Sequence, residues 1–167
     1  MRLDRLLTIN LFLYLVRFIP PTPQIPVLMY HSISGAGKNY VHPYFRTNTT
    51  PDIFFEQMLY LSKNGYQTIG IDEALRIVRS GKHLKNKYAV ITFDDGYQDI
   101  LTNALPVLIK FGFTATVYLP TEFISNEGRL FNNNRCLTWR EAMELQSNNI
   151  EIGSHTVTHP KLISLTS

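Results

Sequence analysis

Two short stretches of the sequence contain residue types that can do chemistry together. The first, Thr92-Phe93-Asp94-Asp95-Gly96, has two adjacent carboxylates followed by a glycine that lets the backbone turn sharply. The second, His155-Thr156-Val157-Thr158-His159, has two imidazoles separated by three residues. Two histidines and one carboxylate form a ligand set that leaves metal coordination positions open for water and substrate. Together the stretches indicate a catalytic metal site with a spare carboxylate available as general base.

Each stretch taken alone has a simpler interpretation. An aspartate that follows a strand often only caps the next helix, and a histidine pair at this spacing can belong to a core or arise by coincidence. A metalloprotease helix is not indicated, because its motif needs glutamate directly after the first histidine, where this chain has Thr156. Burying two adjacent carboxylates is costly unless a cation neutralises them, and this favours the metal interpretation.

Both stretches directly follow apolar runs that are predicted to be buried strands. Five such strands are predicted, at residues 27–30, 66–71, 88–93, 115–119 and 150–154. Because helical segments separate consecutive strands, we predict an α/β fold with a parallel sheet, open or closed into a barrel. The carboxyl ends of parallel strands meet at one edge of a sheet, so the carboxylates and imidazoles are expected to converge there.

Four helices are predicted from their capping residues and apolar spacing. The first begins after Thr50, and the second is capped by Asp72 and ends near Gly81. Pro106 is expected to break or bend the third helix. The fourth begins after Thr138 with a capping box.

The first 25 residues are predicted to form an apolar helix and a proline-rich linker, and residues 26–167 the folded domain. Residues 3–19 are mostly apolar, but Asn10 and Arg17 interrupt a run that is already short for a bilayer span. A helix packed on its own domain or lying at a membrane surface is preferred to an uncleaved signal anchor. A cleaved signal peptide ranks below both.

The charge distribution bears on the partner of the chain, and the cysteine content bears on disulfide bonds. The net charge of +3 is spread along the chain rather than gathered in a basic run, so we expect no nucleic-acid partner. A neutral or sugar-like partner fits this surface better. Cys136 is the only cysteine, which excludes an intramolecular disulfide.

The acidic and histidine stretches resemble the first two motifs of the polysaccharide deacetylase family. The chain also resembles the family's connecting segments at residues 27–31, 104–108, 114–119 and 151–154. The resemblance implies a distorted parallel (β/α) barrel that hydrolyses an N-acetyl group, or sometimes an O-acetyl group, from a sugar polymer. The opening strand is most similar to members that deacetylate exopolysaccharides such as poly-N-acetylglucosamine.

The same resemblance implies roles for individual residues. Asp94 would be the general base, and Asp95, His155 and His159 would be the metal ligands. Zinc is the expected ion, with cobalt, nickel and iron as alternatives, because such a site discriminates weakly among these metals. Thr156 is expected to brace the histidine turn by hydrogen bonding. A polysaccharide or oligosaccharide substrate is implied, and a location in the bacterial cell envelope or at the membrane is favoured over the cytoplasm.

The family's later motifs would lie beyond Ser167, so we expect a barrel that is incomplete at the C-terminus. The chain is then either a fragment of a longer protein or a truncated product. A non-catalytic module of the same fold that binds glycan or a partner is the main alternative to a deacetylase. An amidase of this fold that acts on a small amide or a lipid-linked sugar is a third. His31 is the best site candidate among the remaining histidines, although a structural role is favoured for it.

Overall fold

The computed structural model describes residues 24–35, 47–81, 84, 86–161, 163 and 165. The predicted N-terminal helix therefore lies outside the described residues, and both the domain division at residue 25 and the membrane contact of residues 3–19 stay predictions. No helix within the described ranges is both long and apolar enough to cross a bilayer.

The described part of the chain alternates strands and helices. In chain order the elements are β1 (Val27–Tyr30), β2 (Ser32–Ile33), β3 (Asn48–Thr49), α1 (Pro51–Lys63), β4 (Tyr66–Thr68), α2 (Ile71–Ser80), β5 (Lys87–Phe93), a π-helical turn (Ile100–Ala104), α3 (Leu105–Phe111), β6 (Ala115–Leu119), a 3-10 turn (Thr121–Phe123), β7 (Leu130–Phe131), β8 (Asn134–Arg135), α4 (Trp139–Ser147) and β9 (Ile150–Ser154).

Five of these strands form one parallel sheet. Strand β5 lies at its centre, because Phe93 pairs with Tyr30 of β1 on one side and with Val117 of β6 on the other. Strand β9 continues the sheet beyond β6, and β4 pairs with the first three residues of β5. The predicted α/β fold with a parallel sheet is confirmed. Among the described residues the sheet stays open between β1 and β9, as in an incomplete barrel.

The main core lies between one face of this sheet and helices α1, α3 and α4. It contains Phe54 of α1, Leu108 of α3 and Leu145 of α4, all fully or almost fully buried. The Phe54 ring lies 5.1 Å from the Tyr30 ring and 5.8 Å from the Phe93 ring. Burial of each large apolar side chain stabilises the fold by about 1.5–3 kcal/mol. The cluster therefore fixes the ends of β1 and β5 just before His31 and Asp94.

Three of the four predicted helix starts and bends are confirmed. The Thr50 hydroxyl accepts a hydrogen bond from the Ile53 N–H, and α1 begins at the next residue. Helix α4 follows Thr138 in a complete capping box with Glu141. The third predicted helix changes from a π-helical turn to α3 next to Pro106, whose ring cannot continue a regular helix from the preceding turn.

The prediction that Asp72 caps α2 is wrong. The cap residue is Gly70. Asp72 lies in the first turn of the helix, where its negative charge interacts favourably with the positive end of the helix dipole. The Glu151 carboxylate of β9 lies so close to Gly70 that a Cβ atom there would collide with it. This packing requires glycine at position 70, and an extended glycine also serves as a helix cap. Strand β4 ends at Thr68 rather than at residue 71.

Four short strands were not predicted. Strands β2 and β3 pair with each other after the first strand of the sheet, and β7 and β8 form a hairpin. Asn132 and Asn133 turn the hairpin with positive φ angles of 50° and 64°, a conformation that asparagine tolerates better than most residues. Two-residue strands carry no readable alternation of apolar and polar positions, so the sequence pattern does not reveal them.

Candidate metal centre

The ends of four strands of the sheet, β1, β5, β6 and β9, meet at the edge where chemistry was predicted. The Asp94 N–H donates to the Tyr30 carbonyl oxygen at 2.9 Å, which ties the end of β5 to the end of β1. The His155 N–H donates to the Leu119 carbonyl oxygen at 2.9 Å, which ties the end of β9 to the end of β6. The predicted convergence of the acidic and histidine stretches is confirmed.

Asp95, His155 and His159 form a compact group. Asp95 Oδ1 lies 3.6 Å from His155 Nε2 and 3.4 Å from His159 Nε2. One potential ligand atom from each residue lies within 4.8 Å of the others. The imidazole rings themselves are 4.8 Å apart, centroid to centroid. The structure thus brings together the three residues that were predicted as metal ligands.

One oxygen of the Asp95 carboxylate lacks the partners that a buried acid normally has. Asp95 is only 5% exposed, and its Oδ1 atom has no hydrogen-bond donor among the described residues. Leaving such an atom unpaired costs about 1–3 kcal/mol, and more when it is charged. A cation held by this oxygen and the two imidazoles would remove that cost. The donor set, one carboxylate and two imidazoles, suits a divalent transition metal.

Unusual backbone conformations aim these side chains. Asp95, Thr156 and His159 have φ angles of 69°, 65° and 50°. Residues other than glycine seldom adopt such angles, a β-branched threonine least of all, and each costs of order 1–3 kcal/mol. Thr156 Oγ1 accepts a hydrogen bond from the His159 N–H at 3.0 Å, so its predicted bracing role is confirmed. The Thr156 carbonyl oxygen also accepts from the Thr121 N–H at 3.2 Å.

The Asp94 side chain is less deeply buried than that of Asp95. It is 15% exposed, and Asp94 Oδ2 lies 4.0 Å from His31 Nε2. Burial, followed by the charges of Asp94 and two other acids, raises the pKa of Tyr118. The Tyr118 ring lies 6.5 Å from the His155 ring, centroid to centroid. Asp94 therefore has the His31 imidazole and the Tyr118 phenol as neighbours. The histidines His42 and His83 lie outside the described residues.

A family model described as Polysaccharide deacetylase matches residues 81–167, more than half of the chain, including both the acidic and the histidine stretch. The chain belongs to the polysaccharide deacetylase family. YxkH of Bacillus subtilis (strain 168), named for the same family, is 36% identical over 144 residues, which are 86% of this chain and 46% of YxkH. The poly-beta-1,6-N-acetyl-D-glucosamine N-deacetylase of Escherichia coli (strain K12) is 33% identical over 111 residues, 60% of this chain and 16% of that protein.

A solved structure of the deacetylase PplD from Streptococcus pyogenes, in complex with acetate, has a similar fold. It is 27% identical in sequence and superposes with a TM-score of 0.71 over 87% of this chain and 62% of PplD. The chain thus spans less than half the length of the two curated relatives. Within this member of the polysaccharide deacetylase family, the described residues supply the fold around the acidic and histidine stretches.

The turn that carries Asp95 is clamped against two other elements of the deacetylase domain. A Cβ atom on Gly96 would lie 2.6 Å from Leu119 Cδ2, so only glycine lets the turn approach β6 this closely. The Gly96 carbonyl oxygen accepts from the Leu137 N–H at 2.8 Å, and the Gln98 N–H donates to the Arg135 carbonyl oxygen at 2.9 Å. The chain following β7 and β8 therefore pairs with the acidic turn and holds it from the other side.

Cys136 lies in this clamp and acts as a packing residue. It is fully buried, and burial together with the charge of Asp95 raises the pKa of its thiol to about 11. The thiol stays protonated at neutral pH, whereas metals bind the thiolate. Its Sγ atom instead lies 3.7 Å from the Asp95 carbonyl oxygen, to which it donates a weak hydrogen bond.

Aromatic rings cover one flank of the group, a feature that sequence reasoning missed. The Phe131 ring lies 5.1 Å from the His159 ring and 4.4 Å from the Phe123 ring. The Tyr97 ring stacks on Phe131 at a centroid distance of 6.2 Å, and burial followed by the charge of Asp95 raises the pKa of Tyr97 to about 12. These rings exclude water and so strengthen electrostatic interactions around Asp95. Phe131 lies in a two-residue strand beside three asparagines, where no sequence pattern marks it.

Proposed function

We propose that this chain carries the metal site of a hydrolase that removes N-acetyl groups from polysaccharide containing N-acetylhexosamine. One observation carries the proposal: a buried carboxylate oxygen of Asp95 faces two imidazole nitrogens at 3.4 and 3.6 Å and no hydrogen-bond donor. Membership of the polysaccharide deacetylase family supports the reaction class. The name of the Escherichia coli relative supports poly-N-acetylglucosamine as the type of polymer.

Asp95, His155 and His159 would hold the ion. Zinc is the expected metal, and cobalt, nickel or iron would also suit one carboxylate and two imidazoles. Such an ion supplies Lewis-acid polarisation of the acetyl carbonyl and a lower pKa for water at the site. The two turns hold the three side chains in place, since their backbones are fixed by the Thr156 bond and by the clamp on Gly96.

Asp94 would act as general base in this reaction. It follows the last residue of β5, is partly open to solvent and is adjacent to Asp95 in the chain, so substrate water can reach its carboxylate. It would take a proton from the water that attacks the acetyl carbon. The nitrogen would gain a proton as the carbon–nitrogen bond breaks, which gives acetate and the sugar amine. The Asp94 N–H bond to Tyr30 holds the base in register with β1 during this step.

The cellular context follows from the same proposal. An enzyme that acts on exopolysaccharide would work in the bacterial cell envelope or at the membrane, and association of residues 3–19 with a membrane surface would suit this location. A nucleic-acid partner is not expected, given the dispersed net charge of +3.

The test is to measure bound metal and acetate release in one set of proteins. The protein is produced in the full length that its gene encodes and as residues 1–167, and it is assayed on N-acetylglucosamine oligomers. Asp94→Asn should lower kcat about 10²–10⁴-fold while bound metal is retained. Asp52→Asn is the matched control, because Asp52 is an exposed aspartate in the first turn of α1.

Two outcomes would reject the proposal. Unchanged acetate release from Asp94→Asn would remove Asp94 from the role of base. A full-length protein that binds metal and glycan but releases no acetate would instead be the non-catalytic module of the same fold.

A further inference from the structure

Asp99 is a third acidic residue in the segment that carries Asp94 and Asp95, and the proposed reaction does not use it. It is partly buried, and its carboxylate accepts two hydrogen bonds from the segment after β1: Ser32 Oγ donates to Oδ2 at 2.5 Å, and the Ile33 N–H donates to Oδ1 at 3.1 Å. One helical turn later, Asn103 Nδ2 donates to the Ile33 carbonyl oxygen at 2.7 Å. Both backbone polar groups of Ile33 are therefore bound by side chains of a single turn.

These bonds place His31 between two fixed points. On one side, Tyr30 pairs with Phe93, and its carbonyl oxygen accepts from the Asp94 N–H. On the other side, Ser32 is held by Asp99. The stretch of chain from residue 94 to residue 103 thus carries the proposed base and also fixes the residues on both sides of His31. The result is the 4.0 Å separation between His31 Nε2 and Asp94 Oδ2.

We propose that Asp99 is a positioning residue of the active site, which holds the His31 imidazole beside Asp94 through Ser32 and Ile33. This inference rests on the proposed function, in which Asp94 is the general base. Asp99 does not touch the Asp94 side chain in any hydrogen bond of the described residues, so its influence passes through the backbone around His31.

Three features distinguish positioning from a general role in folding. The Ser32–Ile33 strand already has a backbone partner in β3, where the Ser34 N–H donates to the Thr49 carbonyl oxygen at 2.9 Å. Hydrogen bonds to a charged carboxylate are stronger and more directional than neutral ones, so Asp99 fixes geometry more tightly than that pairing requires. The turn after Asp99 is π-helical, a rare form that is frequent at functional sites.

The test compares the variants Asp99→Ala and His31→Ala, singly and combined, in the full-length metal-loaded protein. Misplacement of a catalytic group by about 1 Å can cost 10²-fold, so Asp99→Ala should lower kcat roughly 10- to 100-fold with little change in KM. If Asp99 acts through His31, the double variant should be no slower than His31→Ala alone. Losses that multiply in the double variant would overturn the inference.

Two further variants separate positioning from loss of folding. Asp99→Asn keeps an acceptor for the Ile33 N–H and can donate to Ser32 Oγ, so it should recover most of the kcat that Asp99→Ala loses. Ser32→Ala removes the 2.5 Å bond to Asp99, together with the 2.9 Å bond between the Ser32 and Ser34 hydroxyls, and serves as the test if Asp99→Ala does not fold. Asp52→Ala, at an exposed aspartate far along the chain, should leave kcat unchanged.

A structural measurement keeps the inference testable if the proposed function fails. Should the wild-type protein bind metal but release no acetate, crystals of the wild type and of Ser32→Ala or Asp99→Ala would be compared. The inference expects the His31 ring to leave its position near Asp94 while the Asp95, His155 and His159 group is retained. An unmoved His31 ring would overturn it, whatever the protein's activity.

Discussion

Asp95 and Glu141 are two acidic residues that both contact residues 135–138, but the partners of their carboxylates differ. Glu141 Oε2 accepts from the Thr138 N–H at 2.7 Å, and Oε1 accepts from Gln98 Nε2 at 3.2 Å and Arg135 Nη1 at 3.3 Å. Asp95 Oδ1 accepts from no donor in the described chain and faces two imidazole nitrogens. Glu141 is satisfied by donors from the protein, whereas Asp95 Oδ1 finds no donor among the described residues and a cation would satisfy it.

The backbone around the two carboxylates repeats this difference. Thr138, which caps the helix containing Glu141, has the ordinary extended conformation of a helix cap. Asp95 lies in a left-handed turn, and so do two residues of the histidine stretch. Local preferences agree with the fold around Glu141 and conflict with it around Asp95. Such conflicts concentrate at functional sites, which is why the comparison separates a structural acid from a proposed ligand.

The largest expected effect comes from Asp95→Asn, which should have opposite consequences in the presence and absence of metal. Affinity for zinc should fall by more than the roughly 10–100-fold that loss of an outer partner costs. In the metal-free protein the free energy of unfolding should rise by about 1 kcal/mol or more, because a buried carboxylate oxygen without a hydrogen-bond donor among the described residues is removed. Zinc titration and urea unfolding measure the two effects. A metal-free variant less stable than the wild type would place Asp95 in the same class as Glu141.

Gly96→Ala tests whether the turn at Asp95 depends on its close packing against Leu119 of β6. The new Cβ atom would meet Leu119 Cδ2 at 2.6 Å in a backbone with φ of 59°. Strain and overpacking together should lower the free energy of unfolding by about 2–4 kcal/mol. Gly81→Ala is the matched control, since its φ is 61° and nothing lies within 4 Å of the new atom. Equal losses at the two glycines would show that the approach to β6 carries no cost.

Thr156→Val tests the brace of the histidine turn with almost no change in side-chain shape. It removes the oxygen that accepts from the His159 N–H at 3.0 Å. Zinc affinity should fall by about tenfold, the low end of the effect of outer partners. Thr156→Ser keeps the oxygen and should bind zinc as the wild type does. If valine and serine gave the same affinity, the turn would be held by the Thr121 bond alone.

The sequence predicted the convergence of Asp95 with His155 and His159 because parallel strands leave their carboxyl ends at one edge. It also predicted the capping box of α4, since that signal lies within a few residues. It could not predict the cap of α2, because contact between Gly70 and Glu151 depends on the folded sheet. The left-handed turns and the ring of Phe131 beside His159 were missed for the same reason: tertiary contacts, not local preference, produce them.

The smallest expected effect is that of Glu141→Gln, and its dependence on pH completes the comparison. Burial alone would raise the pKa of Glu141, but hydrogen bonds from Thr138 and the charge of Arg135 outweigh it and lower the pKa below 4.5. An acid with a lowered pKa stabilises the folded state at pH values above its unfolded pKa, and this contribution is lost as the pH falls through the folded value.

Glu141→Gln should therefore lower the free energy of unfolding by about 0.3–1 kcal/mol at neutral pH, because the negative charge in the first turn of α4 and its attraction to Arg135 are lost. The gap between variant and wild type should shrink on acidification below about pH 4.5, where wild-type Glu141 also becomes neutral. Urea unfolding at neutral pH and at about pH 3.5 measures both values. Because glutamine can still accept from Thr138, a gap that stayed constant with pH would mean that shape and neutral hydrogen bonds, not charge, make Glu141 structural. Charge would then distinguish Asp95 alone.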